Sequence, residues 1–203
     1  MTPTCKDPIR PETLTVVYGF CLAAERLQTC FVHSTYASRS LEDVVQATPS
    51  SLKWFQLYAL RDKELNKLLL KKAEELGYKA IVVTIDTPTV GVRYHEMGNK
   101  NCLPSHISCG VFERLIEGYP EAKRFEVATK LMDPEISWVT VDWLKSITTL
   151  PIVLKGILTA EDAQLAVEHG VSAIIVSNHG GRQLDGVLAT VSIPRLFGDI
   201  VTF

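Results

Sequence analysis

Residues 54 to 88 read WFQLYALRDKELNKLLLKKAEELGYKAIVVTIDTP, and this run decides the architecture because it carries a strand, a helix and a second strand in succession. Trp54-Phe55-Gln56-Leu57-Tyr58 reads as a short strand. Leu65, Leu68, Leu69, Ala73 and Leu76 then recur at three- and four-residue spacing, which puts them on one face of a helix. Asp62 can cap that helix, and Gly77 supplies the left-handed stop. Ala80-Ile81-Val82-Val83-Thr84-Ile85 follows as an unbroken apolar run, as a strand covered on both faces requires, and Asp86-Thr87-Pro88 ends it. A helical crossover between two strands implies that they lie parallel.

The rhythm continues on both sides. Downstream, Trp138, Val141, Leu144 and Ile147 mark a helix, and Pro151-Ile152-Val153-Leu154-Lys155 marks a strand closed by Gly156. Thr159-Ala160-Glu161-Asp162 has capping-box spacing, Leu165, Ala166 and His169 carry that helix on, and Gly170 stops it before the strand Ala173-Ile174-Ile175-Val176-Ser177. Upstream, a helix from about Phe20 to Leu27 precedes a strand at Cys30-Phe31-Val32-His33-Ser34. Such a repeat belongs to a doubly wound sheet or to a (β/α)8 barrel. Ser34, Gln56, Tyr58, Thr84, Asp86, Lys155, Ser177 and His179 all sit at the carboxyl ends of strands, where a barrel assembles its active site. A nucleotide-binding doubly wound fold would show one Gly-rich first turn, and neither GxGxxG nor GxxxxGK[ST] occurs. The expected fold is therefore α/β, an incomplete (β/α)8 TIM barrel with about strands 2 to 6 present, in one domain over residues 1 to 203. Residues 94 to 136 form a long connection, expected as a lid, a binding loop or a disordered stretch, and the tail after Thr190 adds no further βα unit.

Composition narrows the partners. With 46% hydrophobic and 22% charged residues the chain can bury a core. Lys and Arg number 21 against 23 Asp and Glu, so the basic excess needed for nucleic acid is absent. The apolar stretch at residues 14 to 24 is too short to cross a membrane and lacks the positive leader of a secretory signal. Five cysteines without CxxC spacing read as reduced thiols. His95, Cys102, His106 and Cys109 have tetrahedral potential but no paired knuckle, so no metal is expected.

Chemistry concentrates in Ser177-Asn178-His179-Gly180-Gly181-Arg182-Gln183-Leu184-Asp185, where an imidazole and a guanidinium stand three residues apart just past a strand. Histidine can take a proton near neutral pH, and arginine can hold a carboxylate with two parallel hydrogen bonds. The pair suits an anionic acid that must lose a proton. Lys155 admits three readings: a Schiff-base nucleophile, a fixed cation for negative charge on a cofactor ring, or a lysine snorkelling from its strand end. Asp86 either orients and charge-stabilises the histidine or caps the turn before Pro88, and Arg93 is a second candidate for the carboxylate or an exposed loop residue.

Phe55-Gln56-Leu57-Tyr58, Thr84-Ile85-Asp86-Thr87-Pro88, Leu154-Lys155-Gly156 and the SNHGGRQLD string together resemble the FMN-dependent 2-hydroxy acid oxidases and dehydrogenases, over about residues 20 to 190 apart from the long connection. The resemblance implies FMN contacts at Ser34, Gln56, Thr84, Lys155 and Ser177, with Lys155 beside the electron-rich end of the flavin. It implies substrate binding by Tyr58, Arg93 and Arg182, with His179 as catalytic base and Asp86 as its carboxylate partner. The implied reaction converts an (S)-2-hydroxy acid to a 2-oxo acid, with the reduced flavin reoxidised by oxygen to give hydrogen peroxide. The substrate and oxygen are thus the implied partners, together with further copies of the chain in a homo-oligomer. The sequence also departs from the family. Residues 1 to 18 carry no counterpart of its first strand and active-site tyrosine, its phosphate-binding Asp-Gly-Gly-x-Arg and Gly-Arg motifs are absent, and Val92 stands where arginine is frequent. The alternative is a catalytically silent truncated product that lacks the FMN phosphate site. The family implies the peroxisome, whereas an ending of Val201-Thr202-Phe203 lacks its targeting tripeptide and admits the cytoplasm instead.

Overall fold

The computed structural model describes residues 16–92, 109–112 and 127–197. In chain order these form α1 Val16–Arg26, β1 Cys30–Ser34, α2 Leu41–Ala47, β2 Leu52–Leu57, α3 Lys63–Glu75, β3 Ile81–Thr84, α4 Trp138–Ser146, β4 Ile152–Ile157, α5 Ala160–Glu168 and β5 Ala173–Val176. The strands make one sheet in the order β1-β2-β3-β4-β5, and every pairing is parallel. Sequential parallel neighbours joined through helices are the wall of a β/α barrel, not the reversed strand order of a doubly wound sheet.

Each strand sends alternate side chains to two faces. One face packs against the helices. Phe55, Leu57, Ile81, Val83, Ile152 and Leu154 meet Leu69, Leu70 and Ala73 of α3, Val141 and Leu144 of α4, and Ala163 and Ala166 of α5 in the main core. The other face carries Trp54, Ala80, Val82, Val153 and Ile175 in a second cluster, corresponding to a barrel lumen. Among the described residues β1 and β5 each pair on one side only. Val32 and Leu52 on this inner face remain 41% and 45% exposed.

Local signals explain most boundaries. Asp62 caps α3 by accepting from the N–H groups of Glu64 and Leu65 at 2.8 and 3.3 Å, and Gly77 leaves the helix at φ 79°. Thr159 caps α5 by accepting from the Asp162 N–H at 3.1 Å. Other expectations are corrected. Gly156 lies inside β4, where a register irregularity between Lys155 and Ile157 and a φ of 117° let the strand continue past it. Leu68 is 56% exposed because α3 turns Asn66, Leu69, Leu70 and Ala73 inward instead. Asn66 can occupy that apolar face because its side chain pairs with both backbone groups of Leu60 and with the Asp62 carbonyl. Helix α2 is not anticipated by apolar periodicity; a reciprocal capping box between Ser40 and Asp43 starts it. Helix α1 takes up the apolar stretch near the amino end, reaches back among the described residues to Val16, ahead of the expected Phe20, and buries Cys21 and Ala24.

The described parts of the long connection are packed. Phe112 is buried against Tyr36, and the Gly110 N–H donates to the Ala37 carbonyl. The returning chain docks past the end of β2, where the Asp133 N–H donates to Ala59 and the Arg61 N–H donates to Leu131. Of the tetrahedral quartet only Cys109 falls within the described residues, and it is buried. No described helix is long and apolar enough to cross a membrane.

Candidate active site

Strand register assembles the polar rim. Ser34 stands beside Gln56, Gln56 beside Val82, Thr84 beside Lys155, and Lys155 beside Ile175. Neighbours in parallel register share a face, and Val82 and Ile175 belong to the inner cluster. Gln56, Thr84 and Lys155 therefore line the lumen side of their strands with Ser34, and Ser177 follows one position past the end of β5. The row is braced from within. The Gln56 amide donates to Thr84 Oγ1 at 2.9 Å while its oxygen accepts from the Thr35 N–H at 3.2 Å.

Beyond β5 the chain folds into a tight turn, with His179, Gly180 and Gly181 at φ 58°, 67° and 69°. Glycine tolerates this left-handed geometry, whereas for His179 it is a strained conformation that the surroundings must hold. They do so by three bonds: Ser177 Oγ accepts from the His179 N–H at 3.1 Å, Asn178 Oδ1 accepts from the Gly181 N–H at 3.2 Å, and Arg182 Nε donates to the His179 carbonyl at 3.1 Å.

The turn delivers the imidazole to Asp86. Asp86 Oδ1 lies 2.7 Å from His179 Nδ1, and its Oδ2 accepts from Lys155 Nζ at 3.1 Å. Thr87 Oγ1 lies 2.9 Å from the same Nδ1 and donates to Asp86 Oδ1 at 3.2 Å. A carboxylate only accepts, so Nδ1 carries a proton, and in the neutral form of the ring Nε2 holds the free lone pair. That Nε2 faces Tyr58 Oη at 3.5 Å, the long limit of a hydrogen bond. Asp86 and His179 side chains are only 7% and 10% exposed, so their pairing is little screened by water. Gly156 makes room for it: a Cβ there would come 2.6 Å from Asp86 Cβ. Lys155 Nζ is held against Asp86 Oδ2 at 3.1 Å.

Of the residues expected at the site, the structure gathers His179, Asp86, Lys155, Thr84, Gln56, Tyr58, Ser34, Ser177 and the exposed Arg182 at one end of the sheet. Arg93 lies outside the described residues. Three contributors escape the sequence reading. Thr87 is a second acceptor for the imidazole N–H. Tyr36 sets its ring 5.3 Å from that of Tyr58, and its hydroxyl donates to the Ala128 carbonyl at 3.1 Å. Thr35 ties the β1 and β2 ends by donating to the Gln56 carbonyl and accepting from the Tyr58 N–H. A proline after Thr87 marked that threonine as a turn residue, and neither Thr35 nor Tyr36 falls in a pattern that spacing would flag.

A histidine paired with a carboxylate at the carboxyl rim of parallel β/α strands lies where the β/α-barrel class assembles its sites. Within that class the FMN-dependent dehydrogenase family matches residues 17–195, and the chain belongs to this family. It is 43% identical over 178 residues to 2-hydroxyacid oxidase 1 of Homo sapiens, which covers 84% of this chain and 48% of that protein. It is 47% identical over 173 residues to 2-hydroxyacid oxidase 2 of Bos taurus, covering 83% and 47% respectively. The crystal structure of mandelate oxidase with (S)-2-phenylpropionate superposes with a TM-score of 0.74 at 34% identity, over 87% of this chain and 47% of that one. The chain spans about half the length of the curated relatives it matches.

The donor set fits the ring end of FMN. Ser34 Oγ accepts from the Tyr36 N–H, Thr84 Oγ1 from Gln56, and Ser177 Oγ from the His179 N–H. Each hydroxyl is thus used as an acceptor, and none of their protons has an acceptor among the described residues, although Thr84 is 97% buried. Such a row, with the ammonium of Lys155 beside it, suits the electron-rich oxygens and nitrogens of a flavin. No Asp-Gly-Gly-x-Arg string for the phosphate occurs in the 203 residues.

Proposed function

We propose that this chain carries the site of an FMN-dependent oxidation of an (S)-2-hydroxy acid to the 2-oxo acid. The observation that carries the reading is the His179 imidazole, protonated on Nδ1 by its pairing with Asp86 and open at Nε2 toward Tyr58. FMN, when bound, would supply the two-electron acceptor, with oxygen as the terminal oxidant and hydrogen peroxide as its product. Ser34, Gln56, Thr84 and Ser177 would hold the ring by their hydroxyl and amide groups, and Lys155 would offset negative charge beside it. Arg182, with Arg93, takes the substrate carboxylate. The Tyr58 hydroxyl orients the substrate oxygen, and His179 Nε2 receives the proton lost from the hydroxyl or from Cα. Asp86 then stabilises the imidazolium, and its carboxylate keeps the ring from turning. The family also suggests a homo-oligomer in the peroxisome, which mass photometry and imaging of the tagged chain would test.

The decisive experiment is the visible spectrum of the purified chain with and without added FMN, followed by peroxide release with glycolate and a longer 2-hydroxy acid. Flavin absorbance and substrate-dependent peroxide are expected. A second reading rests on the exposed inner-face residues Val32 and Leu52 and on the single-sided pairing of β1 and β5 among the described residues. On that reading the segment is catalytically silent by itself, because the phosphate grip and the rest of the wall are supplied elsewhere. A chain that stays colourless in excess FMN supports it, and a cooperatively melting, peroxide-producing monomer removes it.

A further inference from the structure

Gln183 follows Arg182 directly, and the proposed chemistry gives it no task. Its side-chain amide grips the backbone after β3: Oε1 accepts from the Gly91 N–H at 2.9 Å and Nε2 donates to the Thr89 carbonyl at 2.8 Å. One amide orientation alone satisfies both, since the flipped amide would set N–H against N–H and oxygen against oxygen. The approach is close. A Cβ at Gly91 would come 2.4 Å from the Arg182 carbonyl oxygen and 2.8 Å from Gln183 Oε1, so the contact requires glycine for reasons of space.

The two segments brought together are the ones that carry the site. One is the connection at residues 86 to 92, which starts with the Asp86 and Thr87 partners of His179. The other is the turn that presents His179 and Arg182. The hydrogen bond between His179 Nδ1 and Asp86 fastens them at the buried end, and the Gln183 amide fastens them at the outer end. The geometry points to Gln183 as a positioning residue, an amide latch that sets the spacing of these two segments and thereby the placement of Arg182, given to the substrate carboxylate, against the Asp86–His179 pair. This rests on the proposed function for the identity of the anion, whereas the latch itself rests on geometry alone.

The test uses the whole chain and two variants. Q183L removes both hydrogen bonds at similar size, and Q183E keeps the acceptor for Gly91 while setting an oxygen against the Thr89 carbonyl. Amide exchange followed by NMR reads the latch. The Gly91 amide exchanges about tenfold faster in Q183L, as expected for loss of hydrogen bonds of ordinary strength, while the Val83 amide within β3 keeps its rate as a fold control. Oxalate, a non-oxidisable probe for the carboxylate site, is titrated against the His179 imidazole signals. Its Kd weakens about tenfold in Q183L and by an intermediate factor in Q183E, while the Nδ1–H tautomer signature of His179 is retained. In flavin-loaded chain the same variants raise KM and leave kcat within about twofold. An unchanged Gly91 exchange rate in Q183L overturns the latch. Faster exchange with unchanged oxalate affinity overturns the positioning role. Should Q183L lose Val83 protection as well, Q183E decides both points. Wild-type chain that binds no oxalate defeats the hydroxy-acid reading instead, and the exchange rates then judge the latch separately.

Discussion

At the scale of single residues, the site depends on which imidazole nitrogen holds the proton. Asp86→Asn keeps the shape but offers an amide that satisfies Nδ1 without charge and can reverse the tautomer. We expect it to lower kcat by about 10²- to 10⁴-fold with little change in KM, the range ascribed to positioned proton transfer, as measured by steady-state peroxide release. Gly156→Ala attacks the same pairing from behind, through a Cβ within 2.6 Å of Asp86 Cβ at a φ that alanine disfavours. Its cost should be about 1 to 3 kcal/mol, seen as a lowered urea midpoint, together with loss of the Asp86–His179 contact. These residue types and their spacing were legible in the sequence, as was the candidacy of Lys155. Thr87, Thr35 and Tyr36 were not, because their importance lies in contacts made across strands and not in any local pattern.

At the scale of elements, capping and glycine stops proved dependable because they act within a few residues along the chain. Asp62, Gly77, Thr159 and Gly170 end or begin helices where their chemistry says they should. Apolar counting was weaker. In α3 it favoured Leu68 and passed over Asn66, whose amide satisfies the Leu60 backbone in the core. Asn66→Leu strands both Leu60 groups without a partner, and a destabilisation of about 1 to 3 kcal/mol in chemical unfolding is the expected outcome despite the added hydrophobicity. Gly156 misled for a similar reason: a glycine inside a strand marks a close approach as readily as an end, and only the position of Asp86 distinguishes the two.

At the scale of the whole molecule, His33 couples stability to pH. It is fully buried between the helical layer and the sheet, with Nδ1 2.7 Å from the Tyr78 hydroxyl and Nε2 3.1 Å from the Arg39 carbonyl. The carbonyl demands an N–H at Nε2, so Nδ1 accepts from Tyr78 and the ring is neutral. Burial pushes its pKa down to about 4, against the opposing pull of the Arg39 carbonyl and the Asp43 carboxylate. A depressed histidine pKa means that the unfolded chain takes up the proton first. Its contribution is therefore nil above about pH 6.5, and it destabilises progressively as pH falls toward 4, by about 3 kcal/mol in full. Urea unfolding of wild type and His33→Gln across this window checks the prediction: the variant starts less stable but loses less on acidification. Equal slopes would show that other groups carry the pH dependence.

The sequence by itself determined the alternation of strands and helices, the parallel sense of the sheet and the residue types at its carboxyl rim, since these follow from periodicity, caps and chain direction, all of which are local. Only the tertiary structure decided which of those rim residues meet. Asp86 and His179 are separated by 93 positions, and their contact depends on β3, β4 and β5 lying side by side and on a left-handed turn that aims the imidazole. Register and turn geometry arise from packing across the whole sheet, which no window of the chain contains.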